Sequence, residues 1–159
     1  MMSVHSALQC SICKKIFLVL ATKSKIRAIH NKGHMPAQFL LFGDSITQRS
    51  FGEDNQPGWG SLLAHTFQRQ VDIINRGLSG YNTTHALQVS PFIITPSTTK
   101  HTKLFTVFFG ANDAALEHIS PQHIPLNEYK SNLITIVEQI KAVRASPSIP
   151  IIVITPPPP

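Results

Sequence analysis

Three short strings in this chain carry residue types suited to acyl chemistry: Gly43-Asp44-Ser45-Ile46-Thr47, Asn75-Arg76-Gly77-Leu78-Ser79-Gly80 and Gly110-Ala111-Asn112-Asp113. The first follows directly on the apolar run Phe39-Leu40-Leu41-Phe42, which reads as a buried strand. A strand ending in Gly-Asp-Ser sets a serine hydroxyl at the carboxyl edge of a sheet, where open α/β folds put their ligands. Its glycine permits a tight turn at little steric cost. Serine-mediated ester hydrolysis needs a positioned hydroxyl, donors for the developing oxyanion, and a base. Ser45 is the candidate nucleophile, and its own backbone N–H, at a strand-to-helix turn, is one candidate donor. Gly80 lets a second backbone N–H approach a substrate, and Asn112 offers a side-chain amide. Each such donor is typically worth about 10²–10³ in rate.

Strands and helices must alternate to bring these strings together. Residues 38–42, 71–75, 104–109 and 149–154 read as strands. Residues 59–70 read as a helix with Trp59, Leu62, Leu63 and Phe67 on one face. Residues 83–94 are helical until Pro91 disturbs them, and residues 49–59 and 96–101 read as loops. Residues 115–126, with Pro121 and Pro125, read as a long loop on the site side. The clearest helix covers residues 127–145: Tyr129, Leu133, Ile136, Val137, Ile140 and Val143 recur at three- and four-residue spacing. Asn127 is its expected N-cap, and Ser146-Pro147 ends it. Strands separated by helices of this length predict a parallel sheet covered on both faces.

Composition narrows the class. The chain's 159 residues suffice for one domain with a core, and 42% hydrophobic with only 14% charged residues suits a globular α/β protein. The net charge of +6 would suggest a nucleic-acid partner, but it is localised. Before Asp44 there are Lys14, Lys15, Lys23, Lys25, Arg27 and Lys32 and no acid; from Asp44 onward eight basic residues balance eight acidic ones. The body is therefore neutral, and no nucleic-acid partner is expected. Residues 1–36 read as a poorly ordered basic extension. Its Cys10-x-x-Cys13 has no second ligand pair, so two free thiols are expected and not a zinc site. Cysteine usage favours a reducing compartment, the cytoplasm. The acid-free leader also has the composition of an organelle transit peptide, and an artefact upstream of Met35 is an equal alternative. The apolar run at residues 16–21 is too short to span a membrane.

The three strings resemble the first three blocks of the SGNH (GDSL-type) hydrolases. Residues 42–48, Gly58-Trp59-Gly60, and residues 75–83, 108–115 and 155–158 are similar to the branch of isoamyl acetate-hydrolysing esterases. The likeness runs from about residue 38 to the end, and three blocks in order are more specific than any one. It implies a three-layer α/β/α, flavodoxin-like fold with a mostly parallel sheet, carried by residues 37–159 as an incomplete esterase domain. It implies Ser45 as nucleophile, with Gly80 and Asn112 completing the oxyanion hole. Asp44 and Asp113 become supporting residues that brace turns, a service Asp performs in any loop or cap. Asn75, Tyr81 and Asn82 are expected to shape the pocket, with a turn-forming role for Asn82 equally open. The implied substrate is a short-chain acyl or acetate ester; no cofactor or metal is implied, and a dimer is left open.

The family's last block, an Asp-x-x-His pair that supplies the base and its orienting carboxylate, has no counterpart here. No Asp follows Asp113 and no His follows His123. His5, His30 and His34 lie in the leader and His65 in a helix. His85, His101, His118 and His123 sit in or beside loops, where histidines are ordinarily solvated; His118 and His123 are the only candidate substitutes. The chain therefore reads as truncated at its C-terminus, with an exposed sheet edge and weak or no activity. A non-catalytic module that binds acyl ligands is the alternative. A phosphate- or flavin-binding domain is disfavoured, because Asp44 puts a carboxylate where a phosphate cradle needs bare N–H groups.

Overall fold

In the computed structural model, residues 37–53 and 56–156 are described, together with Ile12, Lys14 and Ile16. Cys10, Cys13 and most of the basic leader lie outside the described residues. The elements are β1 (Ala37–Gly43), α1 (Ser45–Gln48), α2 (Trp59–Thr66), β2 (Val71–Gly77), α3 (Thr83–Ile93), α4 (Pro96–Thr99), β3 (Thr102–Phe108), α5 (Leu126–Val143) and β4 (Ile151–Val153). The described strands form one parallel sheet in the order β2-β1-β3-β4.

β1 is central because both of its faces are apolar. Phe39 and Leu41 point into one cluster with Trp59, Leu63 and Phe67, so α2 covers that face. Ile16 is buried in the same cluster, with Ile12 packed against it. Leu40 and Phe42 enter a second cluster with Ala86 of α3 and Ile136 and Ile140 of α5. Layers of helix therefore cover both faces of the sheet, as the expected α/β/α class requires. Each face also holds an edge-on aromatic pair: Phe39 with Phe67 (centroids 5.1 Å apart) and Phe42 with Phe109 (4.8 Å).

Five local expectations are corrected. α2 stops at Thr66 and not at residue 70, because Arg69 adopts φ 64° and the N–H groups of Gln70 and Val71 turn back to the Phe67 carbonyl. Pro91 does not end α3: the Leu87 carbonyl that loses its helical N–H partner there accepts the Ser90 hydroxyl at 3.0 Å. Residues 96–99 form a helical turn instead of a loop, capped by Thr95 in a reciprocal box with Thr98 and opened by Pro96. α5 begins at Leu126, capped by Pro125 and not Asn127; the Pro125 carbonyl accepts the Tyr129 N–H at 2.9 Å. β4 is shorter than expected, yet the Pro150 carbonyl and the Ile154 N–H extend its pairing to β3 at either end.

Candidate active site

β1 delivers its carboxyl end to the turn Gly43-Asp44-Ser45. Asp44 is the N-cap of α1, its Oδ1 accepting the Ile46 N–H at 2.9 Å. Its own N–H donates to the Phe108 carbonyl at 3.1 Å, which ties the turn to β3. Ser45 is thereby the first residue of α1 and is half-buried. Its N–H and its Oγ have no hydrogen-bond partner among the described residues. Gly43 is required for closeness and not for its turn conformation, contrary to expectation. Its φ is not positive, but a Cβ there would lie 2.6 Å from the Phe108 carbonyl oxygen and collide with Thr47 Oγ1.

Strand pairing sets the second string beside the first, with Gly43 opposite Gly77. Beyond it the Leu78 N–H donates to the Gly43 carbonyl at 2.8 Å, and the Ser79 N–H donates to Gln48 Oε1 at 2.7 Å. Gly80 has φ +81°, the left-handed region where glycine alone carries no Cβ penalty. Its carbonyl accepts Gln122 Nε2 at 2.7 Å, while its N–H has no partner among the described residues. Asn75 does not line either of the cavities described below. Its Nδ2 instead donates to the Thr47 and Gln48 carbonyls at 2.9 and 3.1 Å, closing the end of α1. Asn82 takes the turn role: Oδ1 caps α3 through the His85 N–H at 2.9 Å, and Nδ2 donates to the Gln122 carbonyl at 3.0 Å.

On the other side of β1, Gly43 lies opposite Phe108 of β3. The chain then passes Gly110, whose φ of +131° and closeness to Tyr129 and Pro156 exclude a side chain. Asn112 Nδ2 donates to the Tyr81 carbonyl at 2.8 Å, so this amide is pinned to the residue after Gly80. One amide hydrogen is used and the other is left over. Asp113 Oδ1 accepts the Thr83 N–H at 2.9 Å and the Thr83 hydroxyl, bracing the start of α3. Asn132 of α5 also bonds Thr83 Oγ1, at 3.1 Å. Thr83, Gln48, Gln122 and Asn132 were not singled out by sequence, because nothing local distinguishes them from surface polar residues.

Burial raises the pKa of Asp44, the negative charge of Asp113 adds to the rise, and backbone N–H groups near Asp44 oppose it. Burial, then the charges of Asp113 and Asp44, likewise raise the Tyr129 phenol, whose hydroxyl donates to the Phe109 carbonyl at 3.1 Å. The two candidate substitute bases differ. His118 is exposed, whereas His123 is half-buried with Nδ1 held 2.7 Å from the Ala115 carbonyl. His123 lines a cavity of about 280 Å³ with Asp113, Ile124, Leu126, Tyr129 and Pro156. A second cavity of about 300 Å³ is lined by Ser79, Gly80, Tyr81, His85, Gln88 and Val89. Ser45 lines neither, and no hydrogen bond joins it to a histidine among the described residues. Among the described residues no group of three His, Cys, Asp or Glu side chains could hold a metal ion, and no helix is long and apolar enough to cross a membrane.

Residues 41–159 match the profile of the GDSL-like Lipase/Acylhydrolase family. The isoamyl acetate-hydrolyzing esterase 1 homolog of Mus musculus is 45% identical over 134 residues, covering 83% of this chain and 52% of the relative. The Homo sapiens homolog is 47% identical over 123 residues, 76% of this chain and 48% of the relative. The chain thus spans about half the length of the curated relatives it matches. Among solved structures, AlinE4, an SGNH-hydrolase family esterase, superposes with TM-score 0.56 at 28% identity, over 76% of this chain and 59% of that one. A lipase/acylhydrolase from Enterococcus faecalis gives TM-score 0.56 at 26% identity, over 76% and 58%.

Proposed function

The chain belongs to the GDSL-like lipase/acylhydrolase family, and on that premise we propose that it carries the nucleophile and oxyanion hole of a serine ester hydrolase acting on short-chain acyl or acetate esters. Ser45 Oγ attacks the ester carbonyl. The N–H groups of Ser45 and Gly80 and the Asn112 side-chain amide receive the oxyanion, and Asp44 and Asp113 hold the turns that carry them. The observation that supports this most is the convergence of three loops at adjacent strand ends. Ser45 N–H and Gly80 N–H are left without partners among the described residues, and Asn112 keeps one amide hydrogen to spend. Donors fixed before reaction need no reorganisation as charge develops. The names of the relatives point to acetate esters of small alcohols. The lack of cysteine from Asp44 onward supports a reducing compartment, the cytoplasm.

Among the described residues no histidine is hydrogen-bonded to Ser45, so these residues by themselves are expected to react slowly at Ser45. A second reading, a module that binds acyl ligands without turning them over, is favoured by the lack of any hydrogen bond from Ser45 to a histidine among the described residues. A fluorophosphonate probe with a short p-nitrophenyl ester separates them. Labelling that vanishes in Ser45→Ala, with measurable turnover, supports the esterase. A folded chain that binds an acyl ester but is never labelled supports the binding module.

A further inference from the structure

Residues 78–81 form a tight turn beyond β2. The Tyr81 N–H donates to the Leu78 carbonyl at 3.2 Å, and Gly80, third of the four residues, has φ +81°. Ser79 has no positive φ, so the turn is type II, the form that favours glycine at this place. Most of its backbone groups are held. The Leu78 N–H donates to the Gly43 carbonyl at 2.8 Å, and the Tyr81 carbonyl accepts Asn112 Nδ2, also at 2.8 Å. The Ser79 N–H donates to Gln48 Oε1 and the Gly80 carbonyl accepts Gln122 Nε2, each at 2.7 Å. The exception is the peptide group between Ser79 and Gly80: neither its C=O nor its N–H has a partner among the described residues.

Two glutamine side chains thus flank that one free peptide group. Gln48 is the last residue of α1, the helix that Ser45 opens. Gln122 belongs to the loop that follows Asn112 and Asp113, and its own backbone is fixed: its carbonyl accepts Asn82 Nδ2 at 3.0 Å and its N–H donates to Ser120 Oγ at 3.2 Å. Glycine is the residue least restrained by its own sterics, so Gly80 needs restraint from outside to keep one conformation. With the peptides before and after it fixed, the planar Ser79–Gly80 peptide keeps a single freedom, rotation about the axis through its two Cα atoms.

We propose that Gln122, with Gln48 in support, is a positioning residue: the pair fixes the two peptides on either side of Ser79–Gly80 and so sets where the Gly80 N–H stands. The inference rests on the esterase reading, in which that N–H receives the oxyanion, and a donor fixed in advance is the one that accelerates. Gln122 has the larger effect. It is half-buried, whereas Gln48 is exposed and water competes for its bond.

Relaxation of ¹⁵N and fluorophosphonate labelling, both on the full chain, test it together. In the unaltered chain the Gly80 amide should be as rigid as strand backbone, with an order parameter of about 0.85. Gln122→Met keeps the length of the side chain and removes its donor. The Gly80 order parameter should then fall to about 0.6 while those of β2 and α3 hold. The maximal labelling rate at Ser45, per folded molecule, should drop about three- to tenfold, the bias that one hydrogen bond supplies, with the half-saturating probe concentration unchanged. Gln48→Met should act in the same direction by about threefold or less. A role in stability alone would lower the folded fraction and move neither readout taken per folded molecule. An unaltered chain that is never labelled sinks the esterase reading and leaves relaxation to decide the restraint on Gly80. A labelled chain whose maximal rate or Gly80 order parameter is unmoved in Gln122→Met overturns the proposal. If that variant does not fold, the Gln122 side-chain amide of the unaltered chain decides: a rigid amide supports the proposal, and one as mobile as an exposed glutamine overturns it.

Discussion

Asn112 Nδ2 donates to the Tyr81 carbonyl at 2.8 Å, so the amide at the end of β3 is set by the residue that follows Gly80. This bond crosses the carboxyl edge of the sheet, over the end of β1, where Ser45 stands. It holds one amide hydrogen, leaves the other over, and ties the two loops together.

Asn112→Ala removes that donor and its anchor together. The rate of Ser45 labelling, or turnover of a short p-nitrophenyl ester, should fall by about 10²–10³. Stability should drop by only about 1 kcal/mol, the worth of one hydrogen bond. Stopped-flow labelling with a parallel urea melt measures both, and an unchanged rate would take Asn112 out of the oxyanion hole.

Gly80→Ala leaves room for the new methyl, whose nearest neighbour would be Gln122 Nε2 at 3.5 Å. The cost is conformational, because φ +81° strains any residue with a Cβ. Urea denaturation should show a loss of about 1–2 kcal/mol. A neutral result would mean that the Gly80 turn relaxes to negative φ.

Phe42→Ala empties the second core cluster at its centre. Phe42 is fully buried and meets Phe109 edge-on at 4.8 Å. The expected loss is about 3–5 kcal/mol, enough to unfold much of the population of a marginally stable domain. Circular dichroism across a denaturant series reads it directly.

The raised pKa of Asp44 makes stability depend on pH with a definite sign. The protonated form is favoured in the folded chain, so this group's contribution is fully present below its ordinary value of 3.8 and is lost as pH rises through the folded value. Asp44→Asn keeps the cap on Ile46 and removes the ionisation. Relative to the unaltered chain, its melting temperature should therefore rise with increasing pH above about 4. A difference that is flat or falls with pH would reverse the assignment.

Much of the fold was legible before the structure. Four strands and helices over residues 59–70, 83–94 and 127–145 were expected from apolar runs and helical spacing, which act within one turn or one strand, and the structure places those helices at residues 59–66, 83–93 and 126–143. The capping turn at residues 96–99 was missed because a four-residue polar helix shows no apolar period; Thr95-Pro96 was its only signal. Pro91 misled for the opposite reason. Its cost is real, but the neighbouring Ser90 hydroxyl covers the orphaned carbonyl, and a propensity rule cannot see that.

By itself the sequence determined the candidate nucleophile turn, the Gly80 and Asn112 strings and the lack of an Asp-x-x-His pair, because each is a short contiguous pattern. Tertiary structure alone decided that β1 lies between β2 and β3, which makes three separate loops neighbours at one edge. It also decided the bracing partners: Thr83 for Asp113 across 30 residues, Gln48 for Ser79 across 31 and Gln122 for Gly80 across 42. Hydrogen bonds of that span depend on how packed elements bring loop backbones together, and no local pattern encodes that distance. The same packing buries Asp44 and Asp113, each with one carboxylate oxygen that makes no hydrogen bond.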